Sequence, residues 1–183
     1  MNSKDKITYI SNWIKDYALS INKNPTTLVI GVSGGVDSAL TSTLCALTGL
    51  KTIAVSMPIK QNSSQHDLSL RHLDFLKKKF PNVETKIVDL DNVFKTFQDT
   101  MKNFDSELAF ANSRSRLRMI TLYQIAQSNN GIVVGTGNKV EDFGVGFYTK
   151  YGDGGVDISP IADCTKSDVW ELAEEIGVIK DII

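Results

Sequence analysis

Residues 26–38 of the chain read TTLVIGVSGGVDS, an apolar run followed by a glycine-rich turn. The first five residues are typical of a β-strand that is buried on both faces. Glycines then allow the backbone to turn sharply, and the apolar pattern from Val36 to about Thr48 predicts a helix that ends at Gly49. A buried strand, a glycine-rich turn and a helix in this order predict the first unit of an α/β fold with a parallel sheet.

The alternation of apolar runs and amphipathic stretches continues along the chain. Further strands are predicted at residues 51–57, 83–88 and 132–134, and helices at residues 7–21, 66–80, 91–103, 113–128 and 165–175. This pattern predicts a three-layer α/β/α fold with a mainly parallel, doubly wound sheet. Ligands of such sheets bind at the carboxyl ends of the strands, where the strand order reverses. The turn after the first strand and the glycine-rich loop at residues 136–163 are therefore predicted to form the site.

Polar and turn-forming residues mark the predicted breaks between elements. Pro25 closes a turn before the first strand, and residues 61–65 form a polar loop. The last helix is predicted to have Thr165 as its N-cap, Asp168 as a capping partner and Gly177 as its stop.

The composition excludes several classes of protein. The 183 residues include 20 Lys+Arg and 21 Asp+Glu, which gives a net charge of −1. A strongly basic nucleic-acid binder and an acidic disordered tail are therefore excluded, and no nucleic-acid partner is expected. No apolar run approaches the ~20 residues of a membrane-spanning helix, so no membrane partner is expected. Cys45 and Cys164 show no metal-binding spacing and predict two reduced thiols in a cytoplasmic protein.

The glycine-rich turn is a candidate phosphate site. Backbone N–H groups at a helix N-terminus attract anions, and Ser33 and Ser38 add hydroxyl groups. Asp37, in the first helical turn, is placed to face a divalent cation that neutralises bound phosphates. An alternative is a capped helix start in which Asp37 only complements the helix dipole. The residues alone leave both interpretations open.

Three other glycine-rich motifs are alternatives to a phosphate-binding turn. The Walker P-loop requires a Gly-Lys pair, which the sequence lacks, and the dinucleotide fingerprint requires a different glycine spacing. The nucleophile elbow G-x-S-x-G does fit Gly31, Ser33 and Gly35. An acyl hydrolase would also need a later histidine, but His66 and His72 both lie in one helical segment after the second strand. An acyl hydrolase is therefore disfavoured.

Several segments carry a resemblance to a known family. Residues 33–38, SGGVDS, resemble the SGGxDS signature of the PP-loop ATP pyrophosphatases. Residues 135–141, GTGNKVE, and residues 147–157, FYTKYGDGGVD, closely resemble ammonia-dependent NAD synthetase, as do residues 159–161 and 165–166. The resemblance runs from the first helix to the end of the chain and implies an adenine nucleotide alpha hydrolase-like fold.

The resemblance also implies a reaction. In this family, the nicotinate carboxylate of deamido-NAD attacks the α-phosphate of ATP, which gives an adenylate and pyrophosphate. Ammonia then displaces AMP to form NAD, in the final step of NAD biosynthesis. Two alternatives stay open: another PP-loop enzyme that adenylates a different carboxylate or carbonyl, and a nucleotide-binding module without catalysis.

The site residues follow from the resemblance, position by position. It implies these ATP contacts: Gly31, Val32, Ser33, Gly34, Gly35, Val36, Asp37, Ser38, Met57, Thr136 and Lys166. It implies these deamido-NAD contacts: Arg116, Lys150 and Asp157. Asp37 and Glu141 are the implied Mg²⁺ ligands, and Asp37 and Lys166 the implied catalytic residues. Because the segment between Glu141 and Lys150 is one residue longer than in many members, Asp142 is the alternative to Glu141.

Three arginines begin the predicted helix at residues 113–128. Arg114 and Arg118 share one face, whereas Arg116 lies about 200° away around the helix. The resemblance aligns Arg116 with the arginine that contacts deamido-NAD. Arg114 and Arg118 are expected in solvent or at an interface.

The nitrogen source and the assembly are also expectations. Only 25 residues precede the predicted first strand, which leaves no room for an amidase domain, so free ammonia is the expected substrate unless a separate subunit delivers it. The family continues beyond the equivalent of residue 183 with a C-terminal segment, and it usually forms homodimers. We therefore expect residues 1–183 to form a single domain that lacks this segment and that assembles as a homodimer.

Overall fold

The computed structural model describes residues 1–21, 27–60 and 63–183. The turn predicted at Pro25, the strand residue Thr26 and the loop residues Gln61 and Asn62 lie outside the described residues. In the described part, the helices are α1 (Ser3–Ser20), α2 (Val36–Leu47), α3 (Ser63–Lys79), α4 (Asp91–Thr100), α5 (Glu107–Ser128), a π-helix (Lys139–Val145) and α6 (Lys166–Ile176). The strands are β1 (Thr27–Gly31), β2 (Lys51–Ser56), β3 (Val83–Ile87) and β4 (Gly131–Val134).

The four strands form one parallel sheet in the order β3-β2-β1-β4. The chain proceeds from β1 through β2 to β3 and then crosses back to place β4 on the free side of β1. The strand order therefore reverses between β1 and β4, so their carboxyl ends flank the crevice where such folds bind ligands. The predicted parallel, doubly wound sheet is confirmed.

Alternating side chains of the central strand face two separate apolar layers. Leu28 and Ile30 pack with helices α1, α2, α3 and α6, whereas Val29 packs with α4 and α5 on the opposite face. All three side chains are fully buried. A strand with both faces covered must be apolar at every position, because each buried aliphatic side chain contributes about 1.5–3 kcal/mol of hydrophobic stabilisation. The predicted three-layer architecture is confirmed.

Several boundaries differ from the sequence-based expectation. Helix α3 begins three residues before the predicted 66, and α5 begins at Glu107 instead of 113 because the Ser106 side chain caps its first turn. The predicted loop at residues 136–163 contains the π-helix. The predicted capping box of α6 is confirmed, and Gly177 ends that helix in the left-handed conformation. None of the described helices has the length and apolar character that crossing a bilayer requires.

Candidate nucleotide-binding site

The turn between β1 and α2 requires glycine at position 34. Gly34 has a φ of +93°, in the left-handed region that side chains rarely adopt. A Cβ atom at this position would also collide with the Gln65 carbonyl oxygen at the start of α3. Glycine is therefore needed both for the backbone conformation and for the close packing of the turn on α3.

Two serines brace the turn from within. The Ser38 hydroxyl donates to the Gly35 carbonyl oxygen over 2.9 Å and accepts from the Ser33 backbone N–H over 3.2 Å. The Ser33 hydroxyl oxygen accepts from the Gly35 N–H over 3.2 Å. These bonds join residues no more than five positions apart, so they stabilise the turn locally.

A cation and two carboxylates converge beside this turn. The Lys166 Nζ atom lies 2.6 Å from Asp37 Oδ2 and 3.0 Å from Glu141 Oε1. Asp37 belongs to the first turn of α2, Glu141 to the first turn of the π-helix, and Lys166 is the first residue of α6. Three elements that are far apart in sequence thus meet at the carboxyl edge of the sheet, where the strand order reverses.

The position of Lys166 is electrostatically unusual. A cation at a helix N-terminus is disfavoured by the helix dipole. The two carboxylates compensate: although partial burial acts to lower the pKa of Lys166, its hydrogen bonds to Asp37 and Glu141 outweigh that effect and raise the pKa above its ordinary value. The ammonium group is therefore held in its charged form beside the glycine-rich turn.

Asn138 joins the two carboxylate-bearing elements. Its side chain is fully buried, and its Nδ2 atom donates to Asp37 Oδ1 over 2.9 Å. Its Oδ1 atom accepts from the backbone N–H groups of Val140 and Glu141 over 3.0 and 3.1 Å, which caps the π-helix. One amide group thus contacts both Asp37 and the turn that carries Glu141.

Glu141 and Asp142 face different surroundings. Glu141 contacts Lys166, whereas the Asp142 carboxylate packs against the Cα atom of Gly137 so closely that a side chain there would collide with it. Burial raises the pKa of Asp142, and the nearby carboxylates, first among them Asp153, raise it further. The hydrogen bonds of a π-helix run from residue i to i+5, one residue further than in an α-helix.

A cavity of about 330 Å³ opens beneath the turn, between the ends of β1, β2 and β4 and helix α5. The ATP contacts implied by the resemblance that line it are Gly31, Val32, Ser33, Ser38, Met57 and Thr136. Asp37, Glu141 and Lys166 are outside this lining, but Ser38 of the lining directly follows Asp37 in the chain. The cavity therefore adjoins the turn that precedes α2.

The three arginines of α5 have different environments. Arg118 lines the cavity, and its Nε atom donates to the Met57 carbonyl oxygen over 3.0 Å. Burial lowers the pKa of Arg118, and the neighbouring Arg114 adds to this effect. Arg114 lies over the Phe94 ring at 5.5 Å, and Arg116 is exposed. The expectation was solvent or an interface for Arg114 and Arg118. Arg118 instead lies in the cavity wall, because this face of α5 packs toward the sheet, and Arg114 is half-buried.

The predicted deamido-NAD residues lie outside the described lining of the cavity. The Arg116 Nε atom donates to the Lys150 carbonyl oxygen over 3.1 Å, so these two residues are adjacent. The Asp157 carboxylate accepts from the Val133 N–H over 2.7 Å and from the Tyr123 hydroxyl over 3.1 Å. Burial and then Asp157 raise the pKa of Tyr123 to about 12. Asp157 therefore already links β4 to α5.

A family model described as NAD synthase matches residues 6–183. The chain belongs to the NAD synthase family. It is 35% identical over 188 aligned residues to an NH(3)-dependent NAD(+) synthetase of Carboxydothermus hydrogenoformans, a match that covers 100% of this chain and 74% of that protein.

Solved structures agree with this membership. An NMN synthetase of Francisella tularensis superposes with a TM-score of 0.90 at 34% identity, covering 100% of this chain and 74% of the other. An NH3-dependent NAD synthetase of Campylobacter jejuni in complex with the nitrate ion superposes with a TM-score of 0.89 at 29% identity, covering 100% and 77%. Both matches support the α/β fold and place the chain with NAD synthase family structures.

Sequence reasoning missed two residues of this site. Asn138 belongs to the segment that resembles NAD synthetases. No sequence pattern indicates that its amide contacts Asp37, which lies 101 positions earlier in the chain. Arg118 shares a helix face with Arg114, yet helical periodicity does not tell which face is buried. For Asn138 alone, the residue type could have indicated its role as a helix cap, since asparagine is a favoured N-cap residue.

Proposed function

We propose that this chain is a ligase that uses ATP and ammonia to convert deamido-NAD to NAD through an adenylated intermediate, with release of AMP and pyrophosphate. The observation that carries this proposal is the meeting of Asp37, Glu141 and Lys166 beside a glycine-rich turn, in a chain of the NAD synthase family. A pure binding module has no need for two carboxylates aimed at the position of a phosphate-bound cation. The arrangement therefore favours phosphate chemistry.

The ATP phosphates would lie against the β1–α2 turn. Backbone N–H groups at the start of α2 attract anions, and Lys166 adds a cation within reach of the same region. The cavity lined by Met57, Arg118 and Thr136 then accommodates the nucleoside part of the substrate. We propose as ATP contacts Gly31, Val32, Ser33, Gly34, Gly35, Val36, Asp37, Ser38, Met57, Thr136 and Lys166.

Asp37 and Glu141 are the proposed Mg²⁺ ligands. Both carboxylates already contact one cationic group, which shows that they converge on a single point. No cluster of three or more candidate metal-ligating side chains occurs among the described residues. Two carboxylates fit Mg²⁺, which typically takes its other ligands from substrate phosphates and water. Bound there, Mg²⁺ neutralises charge on the phosphates.

The chain's own residues act mainly by positioning and charge. The nucleophile in the first step is the substrate's carboxylate, which needs no base, and the bond between the α-phosphorus and the bridging oxygen breaks as pyrophosphate leaves. Lys166 and Asp37 are the proposed catalytic residues. The Lys166 ammonium group would stabilise the negative charge that the pyrophosphate gains. In the second step the ammonia nitrogen attacks the adenylated carbonyl carbon, AMP departs, and one proton is released.

Deamido-NAD is proposed to contact Arg116, Lys150 and Asp157. Arg116 is exposed and adjacent to Lys150, so both are accessible to a ligand outside the cavity. In the segment that precedes Lys150, large apolar side chains are strongly exposed, among them Phe143, at 75%, and Phe147, at 80%. Because exposed apolar surface of this kind is typical of contact sites, we also propose that residues 1–183 act as one domain of a homodimer. A cytoplasmic location is proposed because both cysteines are free thiols.

A second candidate substrate follows from one comparison. The F. tularensis protein that superposes with a TM-score of 0.90 is described as an NMN synthetase. Amidation of nicotinate mononucleotide is the same reaction on a smaller acid. The two candidates differ only in whether the substrate carries the adenylate half of the dinucleotide.

Product analysis tests both candidates. The purified chain is incubated with ATP, Mg²⁺, ammonium and either deamido-NAD or nicotinate mononucleotide. We expect NAD, AMP and pyrophosphate in equal amounts with deamido-NAD, and a much lower kcat/KM with the mononucleotide. Formation of ADP and phosphate would contradict the mechanism, and a preference for the mononucleotide would favour the second candidate.

A further inference from the structure

The environment of Asn138 determines the orientation of its side-chain amide. The backbone N–H groups of Val140 and Glu141 can only donate, so the oxygen of the amide must face them. An ionised Asp37 carboxylate can only accept, so the Nδ2 group must face Asp37. All three bonds measure between 2.9 and 3.1 Å, and the side chain is fully buried.

Few other side chains could make both contacts. A serine or threonine hydroxyl at position 138 would cap the π-helix but would be too short to reach Asp37. An aspartate would cap the helix but would place a second carboxylate against Asp37. Asparagine is a favoured N-cap and also carries a donor on the same rigid group.

We propose that Asn138 is a positioning residue that sets the separation of the Asp37 and Glu141 carboxylates and thereby the affinity of the site for a divalent cation. This inference rests on the proposed function, which assigns the cation to these two carboxylates. Asn138 orients Asp37 through its Nδ2 group and Glu141 through the capped turn. Hydrogen-bond partners of metal-ligating carboxylates commonly change metal affinity by about 10–100-fold when they are removed.

Asn138→Ser separates positioning from capping. The serine hydroxyl keeps an acceptor for the π-helix N-terminus and removes the donor to Asp37. Binding of Mn²⁺, in the presence of the non-hydrolysable analogue α,β-methylene-ATP, is measured by electron paramagnetic resonance without turnover. We expect the dissociation constant for Mn²⁺ to rise about tenfold or more relative to the unmodified chain.

Asn82→Ser is the matched control. The Asn82 side chain donates to the carbonyl oxygens of Ala46 and Leu50 over 2.9 and 2.8 Å, at the opposite end of the sheet. Its replacement should lower the stability without changing Mn²⁺ affinity. If folded Asn138→Ser binds Mn²⁺ as tightly as the unmodified chain, the proposed role of Asn138 is wrong.

A third variant distinguishes failure of this inference from failure of the proposed function. If Asp37→Asn leaves Mn²⁺ binding unchanged, the cation lies elsewhere, and both the assignment of the site and the role of Asn138 are wrong. If Asp37→Asn removes binding and Asn138→Ser does not weaken it, only the role of Asn138 is wrong.

If Asn138→Ser does not fold, the unmodified chain provides the test by NMR. The side-chain amide resonance of Asn138 should shift when Mg²⁺ and the analogue are added together. An unchanged resonance at saturating Mg²⁺ and analogue would overturn the proposal.

Discussion

The β1–α2 turn and the segment from Gly135 to Lys166 lie side by side at the carboxyl edge of the sheet, but contacts of very different sequence range hold them in shape. In the turn, Ser33 and Ser38 bond to neighbours within five positions. In the segment, Lys166 bonds to Asp37 across 129 positions and to Glu141 across 25 positions. The turn therefore has local hydrogen bonds of its own, whereas the charged group forms only when the whole sheet is assembled.

This difference predicts that substitutions in the two regions affect folding stability and catalysis to different degrees. Within the turn, a change at Gly34 should act strongly on folding, since the backbone there is strained without glycine. Changes in the charged group should act mainly on cation binding and turnover, since its members are partly exposed and lie at the edge of the core.

Asp37→Asn should lower kcat by about 1,000-fold, which corresponds to about 4 kcal/mol of lost transition-state stabilisation. The substitution keeps the size of the side chain and its oxygen near Lys166 but removes the charge that both the cation and the ammonium group need. Turnover is measured as NAD and pyrophosphate formation at saturating substrates. The thermal unfolding midpoint should change little.

Asp142→Asn is the matched control for that variant. Asp142 is a neighbouring carboxylate that packs on Gly137, away from the contact between Glu141 and Lys166. Its kcat should fall by less than about tenfold if only Asp37 and Glu141 serve the cation. Equal losses in the two variants would contradict the assignment of the charged group.

Gly34→Ala should lower the free energy of unfolding by about 3 kcal/mol or more. The substitution combines a positive φ of +93° with a collision against the Gln65 carbonyl oxygen, and each effect costs roughly 1–3 kcal/mol. Urea unfolding followed by circular dichroism measures the change.

Gly49→Ala separates the two costs. Gly49 also has a positive φ, of +76°, but an added Cβ would meet nothing within 4 Å. We expect a loss of about 1 kcal/mol there. Similar losses at both positions would show that the contact between the turn and α3 contributes little.

The same contrast explains which parts of the molecule could be predicted from sequence. The β1–α2 unit was predictable because its strand, glycines and helix follow one another directly in residues 26–48. The parallel sheet with helices on both faces and the capping box at Thr165 also follow from local patterns and general connection rules.

The remaining features depend on packing that no local pattern reveals. The first turns of α5 are Ala- and Asn-containing and show no apolar stripe, so the helix was expected six residues too late. The burial of Arg118 depends on which face of α5 meets the sheet. The contact of Asn138 with Asp37 depends on β4 lying beside β1, which is a property of the assembled sheet.

The His72 side chain, in helix α3, should make the free energy of unfolding depend on pH. It is fully buried, its Nε2 atom lies 2.9 Å from the Ser42 hydroxyl, and burial lowers its pKa to about 4. Between about pH 4 and 6.5, His72 therefore binds a proton in the unfolded chain but not in the folded chain. The free energy of unfolding should rise with pH in this range. From pH 5 to pH 7.5 the gain should be about 2 kcal/mol.

Urea unfolding at several pH values measures that gain. His72→Gln should remove most of it. A gain that persists fully in His72→Gln would show that other groups cause it.

Thr165→Ala should have the smallest effect, and it tests whether the start of α6 serves both stability and chemistry. The Thr165 hydroxyl accepts from the Asp168 N–H and caps the helix whose first residue is Lys166. Loss of such a cap costs about 1 kcal/mol of stability. Because the cap also fixes the helix start that carries Lys166, KM for ATP should rise by a few fold.

Asn2→Ala supplies the comparison for that cap. Asn2 caps α1 in the same way, by accepting from the Asp5 N–H over 2.9 Å, but α1 carries none of the charged group. Its replacement should cost similar stability, measured by urea unfolding, and leave KM for ATP unchanged. If both variants raise KM equally, the kinetic effect follows from general loosening of the fold. If only Thr165→Ala raises it, the start of α6 orients the ammonium group toward the phosphates.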